Sequence, residues 1–262
     1  MLVYVDIIPT KKGFLNRLRG AATGFSPEVT KKTFLNCPYL SVGIHSASKR
    51  ILKKQVDSII PKTDRVVCSK GFPSELLRNY DFVEDCKELK ARLLLNFLKS
   101  VLKNVNCKRN LKVLLIDWQG TSPAAAAELI PFCRVYVLTD RFELYSPCRE
   151  YCRIKYGEAP IMAQKLSGLT AAFAPFGTRG LILPNSQTPV FSQNPHEGFC
   201  LDENFLSAFN EFDFPKNANK ELFLEAFFEN FCPPKILEAC PKSVVNQGFS
   251  ADLNYFIKIF SA

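Results

Sequence analysis

Two stretches, KVLLI at 112–116 and VYVL at 135–138, are apolar without alternation. A strand with one face in water alternates apolar and polar side chains. A strand covered on both faces has no solvent side to mark, so uninterrupted runs of this length imply parallel strands buried inside an α/β sheet. Parallel neighbours cannot be joined by a tight turn and need a crossover. SPAAAAELIPFC at 122–133 supplies one, a helix with Ser122 at its N-cap and Pro123 at the first helical position. A second helix is expected from Arg141 or Ser146, with Leu144, Cys148, Tyr151 and Cys152 on one face, ending at Gly157. APIMAQ, TAAFAPF and GLILP then read as three further short strands with little helix between them.

The first half repeats the rhythm less clearly. MLVYVDII, YLSVGI and RVVC read as strands, and SASKRILKKQVDSII between the last two reads as a helix burying Leu52, Val56, Ile59 and Ile60. Lys49, Arg50, Lys53 and Lys54 lie off that stripe, one turn apart in pairs, and form a basic surface. A long helix is expected over Val83–Val105, with Cys86, Leu89, Leu93, Leu94, Phe97, Leu98 and Val101 as its apolar stripe. The polar connector NVNCKRN that follows sets the expected boundary between a basic N-terminal α/β domain, 1–107, and a second domain, 108–262. QTPVFSQNPHEGF reads as a proline-interrupted loop. Two aromatic-rich helices, around Asn204–Phe212 and Lys220–Phe231, read as packing elements that cover a sheet. The fold class expected is therefore α/β, with two βαβ-type units, the second a parallel sheet with the C-terminal helices packed on it.

Composition narrows the function classes. The chain of 262 residues is 47% hydrophobic, enough for a core, and no run approaches the roughly 20 apolar residues of a membrane span. MLVYVDIIPTKK carries Asp6 inside its apolar stretch and reads as a strand, so a soluble, cytoplasmic protein is expected. Ten scattered cysteines without a CxxC pair fit reduced thiols. The net charge of +9 is uneven: residues 1–110 hold 21 Lys and Arg against 9 Asp and Glu, and the remainder holds 13 against 16. Such a split suits either an anionic partner for the first half or a solubilising face.

Residues 111–184 resemble the Rossmann-type NAD(P)-binding superfamily, on the strand KVLLID, the turn containing Gly120, the small-residue helix AAAA and the strand VYVLTD ending in Asp140. In that superfamily glycines bring the backbone close to a pyrophosphate at the helix N-terminus, and an acid roughly 20 residues later holds the ribose. Asp140, 20 residues after Gly120, takes that place, and Arg141 would meet a 2′-phosphate. The resemblance therefore implies a nucleotide or dinucleotide ligand held by Asp117, Gly120, Thr121, Ser122, Asp140 and Arg141. Its fingerprint is degenerate. If GTSPAA is the fingerprint, Gly120, Ser122 and Ala125 stand for the three glycines; if the turn follows the strand without a gap, Asp117 and Gln119 replace the first two. We prefer the second alignment, in which a carboxylate repels the pyrophosphate and the Gln119 side chain takes its space.

Other chemistry is sparse. His45 and His196 are isolated, Cys148 and Cys152 in CREYC read as core-facing thiols, no metal centre is indicated, and no acid, base or nucleophile constellation stands out. Gly177, Thr178, Arg179 and Gly180 admit an anion-binding loop with Arg179 as its cation, or an ordinary glycine turn. Three functions compete. The first is a ligand-binding or interaction protein on a Rossmann-like scaffold with a decayed dinucleotide site. The second is an NAD(P)-dependent oxidoreductase with an atypical turn. The third is nucleic-acid binding through the basic first half.

Overall fold

A computed structural model describes residues 1–8, 26–45, 48–105, 110–164 and 166–261. In chain order the elements are β1 (Leu2–Ile8), β2 (Glu28–Phe34), β3 (Cys37–His45), α1 (Lys49–Ile59), β4 (Arg65–Cys68), β5 (Asp81–Phe82) and α2 (Lys87–Asn104). They continue with β6 (Lys112–Ile116), α3 (Pro123–Leu129), β7 (Arg134–Leu138), α4 (Ser146–Tyr156), β8 (Ile161–Met162), β9 (Ala171–Ala174), β10 (Val190–Ser192) and β11 (Cys200–Leu201). The chain ends with α5 (Lys220–Phe231), α6 (Pro234–Leu237), β12 (Ser243–Asn246), β13 (Phe249–Asp252) and α7 (Leu253–Ser261). The chain divides into two compact units, one of Met1–Leu89 with Asn210–Leu237 and one of Lys90–Phe209 with Glu238–Ala262. Most of the connector expected to separate two domains, 106–109, lies outside the described residues.

The first unit is a five-stranded sheet in the order β2-β3-β1-β4-β5. β3 and β4 both run parallel to β1, which lies between them, so the crossover α1 carries the chain across β1. Leu52 and Val56 of α1 pack with Val3, Val5, Val42 and Ile44 on one face. On the other face, Phe223 and Phe227 of α5 meet Tyr4, Phe34 and Tyr39 with ring centroids 4.8–5.6 Å apart. The Lys220–Phe231 helix thus covers the first sheet. β2 was not anticipated, because EVTKKTF carries few apolar residues and all but Phe34 are exposed. It pairs antiparallel with β3 through Leu35 and Asn36, both at positive φ (50° and 64°), the backbone of a two-residue hairpin turn.

The second unit holds a five-stranded sheet in the order β10-β9-β6-β7-β8, with every pairing parallel. Counted in chain order within the sheet this is 5-4-1-2-3, the Rossmann-type arrangement, with its topological switch between β6 and β9. KVLLI and RVYVL are therefore the neighbouring parallel strands that their apolar runs required. Val113, Leu115, Val135, Val137 and Phe173 face a core shared with α2, α3, α4 and α7, the last through Phe256 and Phe260. Leu114, Ile116, Ala172 and Ala174 face the opposite side, where their neighbours Trp118, Leu166, Leu169, Leu181 and Leu183 come from loops. Among the described residues no helix covers that face.

Four expectations need correction. GLILP forms no strand, and the fifth strand is β10, inside the stretch read as a proline-interrupted loop; burial of Phe191 and Ser192 selects it. Around Asn204–Phe212 the chain makes only a short 3-10 turn, Phe205–Phe209. Leu144 and Tyr151 are exposed rather than sharing the buried face of Cys152, because Leu144 belongs to a 3-10 turn whose helical phase differs from that of α4. Ser122 makes no side-chain capping bond.

Candidate functional site

In a parallel sheet the strands end at one edge, and there β6, β7 and β9 deliver the loops that hold the residues of interest. Asp117 follows β6 directly and is 2% exposed. Its carboxylate accepts hydrogen bonds from the backbone N–H of Thr121 (3.1 Å) and of Ser122 (2.7 Å), from the Thr121 hydroxyl (3.3 Å) and from the hydroxyl of Tyr145 (2.6 Å). These N–H groups precede α3, at the position where a Rossmann-type helix offers its free donors to a phosphate. A side chain of the same chain has taken them. Burial and the Asp117 carboxylate both push the Tyr145 hydroxyl far above the ordinary phenol range, so it acts as a donor.

Gly120 sits at φ +69°, and a Cβ there would stand 2.8 Å from Leu144 Cδ1 and 3.2 Å from the Arg141 carbonyl oxygen. The glycine serves the close approach of the following 3-10 turn, Phe142–Tyr145, so the space that it leaves open is filled by protein. Gln119 is exposed. The residue that projects into the switch point is Trp118. Its indole N–H donates to the Thr178 carbonyl at 3.3 Å, spanning from the end of β6 to the loop after β9, and the Arg179 guanidinium lies 5.9 Å from its ring centroid. Asp140 and Arg141 are exposed at the end of β7, where the Asp140 N–H reaches the Trp118 carbonyl at 3.4 Å and the Arg141 N–H reaches Thr139 Oγ1 at 3.1 Å.

The glycine loop after β9 repeats the pattern. Gly177, Arg179 and Gly180 all have positive φ, and the Thr178 N–H donates to Glu197 Oε2 at 2.6 Å, with the Ser192 hydroxyl 3.2 Å from the same oxygen. Arg179 itself is exposed and lies against Trp118. At both loops a backbone donor that could face an anionic ligand faces an internal carboxylate.

The remaining candidates are dispersed. Lys49, Arg50, Lys53 and Lys54 are exposed along α1 in the first unit, and Lys49 pairs with Glu75 at 2.5 Å. His45 lies 3.8 Å from Glu28, and His196 is exposed in a turn. Cys148 and Cys152 stand 3.9 Å apart, Cys152 buried and Cys148 half-buried, and burial with the neighbouring thiol raises the Cys148 pKa to about 12. Among the described residues no three His, Cys, Asp or Glu side chains gather in a metal-binding group, and no helix is long and apolar enough to cross a membrane. Trp118, Tyr145 and Glu197 were missed in the sequence. An aromatic beside the turn was visible in IDWQG, but nothing local shows that Tyr145 folds back to that turn or that Glu197 folds back to the loop after β9.

A donor set already engaged by Asp117 and Glu197, with an indole across the switch point, does not fit the pyrophosphate of a dinucleotide. No protein-family model and no curated protein matches the chain. Among solved structures it is similar to a shikimate dehydrogenase determined in complex with NADP+, at 12% identity and a TM-score of 0.31, over 99% of this chain and 94% of that one. The parallel strand order, rather than this likeness, places the second sheet among the Rossmann-type folds.

Proposed function

We propose that this chain is a binding or interaction protein built on a Rossmann-like scaffold whose dinucleotide crevice has been closed from within. The observation that carries the reading is the Asp117 carboxylate, bonded at once to the N–H groups of Thr121 and Ser122 and to the Tyr145 hydroxyl. A pyrophosphate at that helix start must displace a buried carboxylate and then share its surroundings with it, and each displaced hydrogen bond to a charged group costs on the order of 1.5–3 kcal/mol. Every 1.4 kcal/mol is about tenfold in affinity, so a site of micromolar potential is lost. The exposed Asp140 is then a strand-end acid, and Arg141 and Arg179 are surface cations.

Calorimetry with NAD+, NADH, NADP+ and NADPH at up to about 1 mM tests this: the native chain should give no saturable heat. Micromolar binding would overturn the reading and favour the oxidoreductase. Binding gained only after Asp117→Gly with Trp118→Ala would support closure of a once-open site.

A further inference from the structure

At the β8 edge of the second sheet lies a cleft of about 580 Å³, within the ordinary range of small-molecule sites, which Lys112 and Tyr136 line from the helix-free face and Phe142 and Arg149 from the 3-10 turn and α4. Part of its opening follows from the topology of the helix-free face. In a doubly wound sheet the connections after the third and fourth strands carry helices onto this face; here the described residues between β8 and β9 and between β9 and β10 form none. Loops bring Leu166, Leu169, Leu181 and Leu183 to part of the apolar surface, and the cleft remains along the edge strand β8. It shares no residue with the crevice of Asp117, Trp118 and Gly120.

Its walls combine apolar surface with positive charge. Tyr136, Phe142, Pro160 and Met162 supply the first, Lys112 and Arg149 the second, and among the described residues no Asp or Glu lines the cleft. Among the described residues neither Lys112 nor Arg149 forms an ion pair, in contrast to Arg92 and Lys99, which share Glu128 at 2.5 Å each. The Arg149 guanidinium lies 5.1 Å from the Phe142 ring centroid, so an aromatic face holds the fork while its outward N–H groups stay available. Lys112 begins β6 on the same sheet face as Tyr136, and its ammonium lies under the loop at Gly168, where a Cβ would be 3.6 Å from Nζ.

We infer that this cleft binds a small organic anion, a carboxylate on an aromatic or aliphatic body, with Arg149 and Lys112 engaging the charge and Tyr136, Phe142 and Met162 packing the body. Arg149 matches a carboxylate in two-pronged geometry, which gives the anionic head its register. The site goes beyond the closed crevice and does not depend on it, since the two share no residue.

Calorimetry with 3-phenylpropionate as the probe, beside 3-phenylpropanamide and 3-phenylpropylamine, tests the inference on the native chain. The carboxylate should bind saturably below about 1 mM, with the neutral and cationic analogues at least about tenfold weaker. Arg149→Met and Lys112→Met should each weaken the carboxylate about five- to tenfold and leave the amide unchanged. Arg149 is exposed, so its variant tests the idea even if replacing Lys112 impairs folding. Absence of saturable binding up to about 10 mM, equal affinity for acid and amide, or full affinity in folded Arg149→Met would each overturn the inference. A positive result here with positive NADP+ binding elsewhere would refute only the closed crevice.

Discussion

Asp117→Ala is the perturbation that the structure prices most directly. The carboxylate satisfies two backbone N–H groups at the start of α3 and two hydroxyls, that of exposed Thr121 and that of Tyr145, which is 0% exposed. Loss of an N-terminal cap costs about 0.5–2 kcal/mol, and a buried hydroxyl stranded without an acceptor adds about 1–3 kcal/mol. The variant should therefore unfold about 1.5–5 kcal/mol more easily. Tyr145→Phe alone removes a donor but leaves the backbone N–H groups engaged, and the double variant strands no buried hydroxyl. The double cost should thus fall short of the sum of the single costs by about 1–3 kcal/mol. Urea unfolding of all four proteins, followed by fluorescence of the single tryptophan, Trp118, reads the cycle beside the site. Additive costs, or an Asp117→Ala variant within about 0.5 kcal/mol of the native chain, would refute the self-capping reasoning and with it the proposed closure.

Gly120→Ala should cost about 1–3 kcal/mol, because it places a Cβ at φ +69° against Leu144 and the Arg141 backbone; a neutral thermal shift would contradict that contact. Glu225, whose carboxylate accepts from the N–H groups of Glu88 and Leu89, is pushed up to about 7 by burial. A native pKa above the unfolded value of 4.5 means that the folded chain holds more protons between those values. Stability should therefore fall as pH rises from about 4.5 to about 7. Glu225→Gln should flatten that part of a urea-midpoint profile, and an unchanged slope would count against it. Replacing Lys49, Arg50, Lys53 and Lys54 together by glutamine should leave the thermal midpoint nearly unchanged, since all are exposed and, among the described residues, only Lys49 of the four pairs, with exposed Glu75; a clear loss in thermal melts would show that the face is structural.

Much of the second sheet was legible in the sequence. KVLLI and VYVL lack the alternation of a half-solvated strand, and AAAA between them can only pack closely, so a parallel pair with its crossover follows from local composition. The α2 stripe was equally plain, because seven apolar residues at helical spacing have one physical use; all seven are buried. Short elements were legible only in part. APIMAQ and TAAFAPF contain β8 and β9 as read, whereas β10 has three residues, too few for a period to register, and exists because β9 offers it an edge. β2 is a strand through its hairpin to β3, against a sequence that is almost wholly polar.

The sequence determined that the turn after β6 breaks the glycine fingerprint, since Asp117 and Gln119 can be read directly. What replaces the phosphate was decided by tertiary structure. Asp117 points inward because Tyr145 and two helix N–H groups supply the donors a buried carboxylate requires, while Gln119 faces solvent. Likewise, only folding takes residues 210–237 back to the first unit, where the aromatic face of α5 finds Tyr4, Phe34 and Tyr39. An apolar face fixes that a helix must be covered, but any apolar sheet can cover it. The choice between two sheets belongs to shape and chain path, which local sequence does not encode.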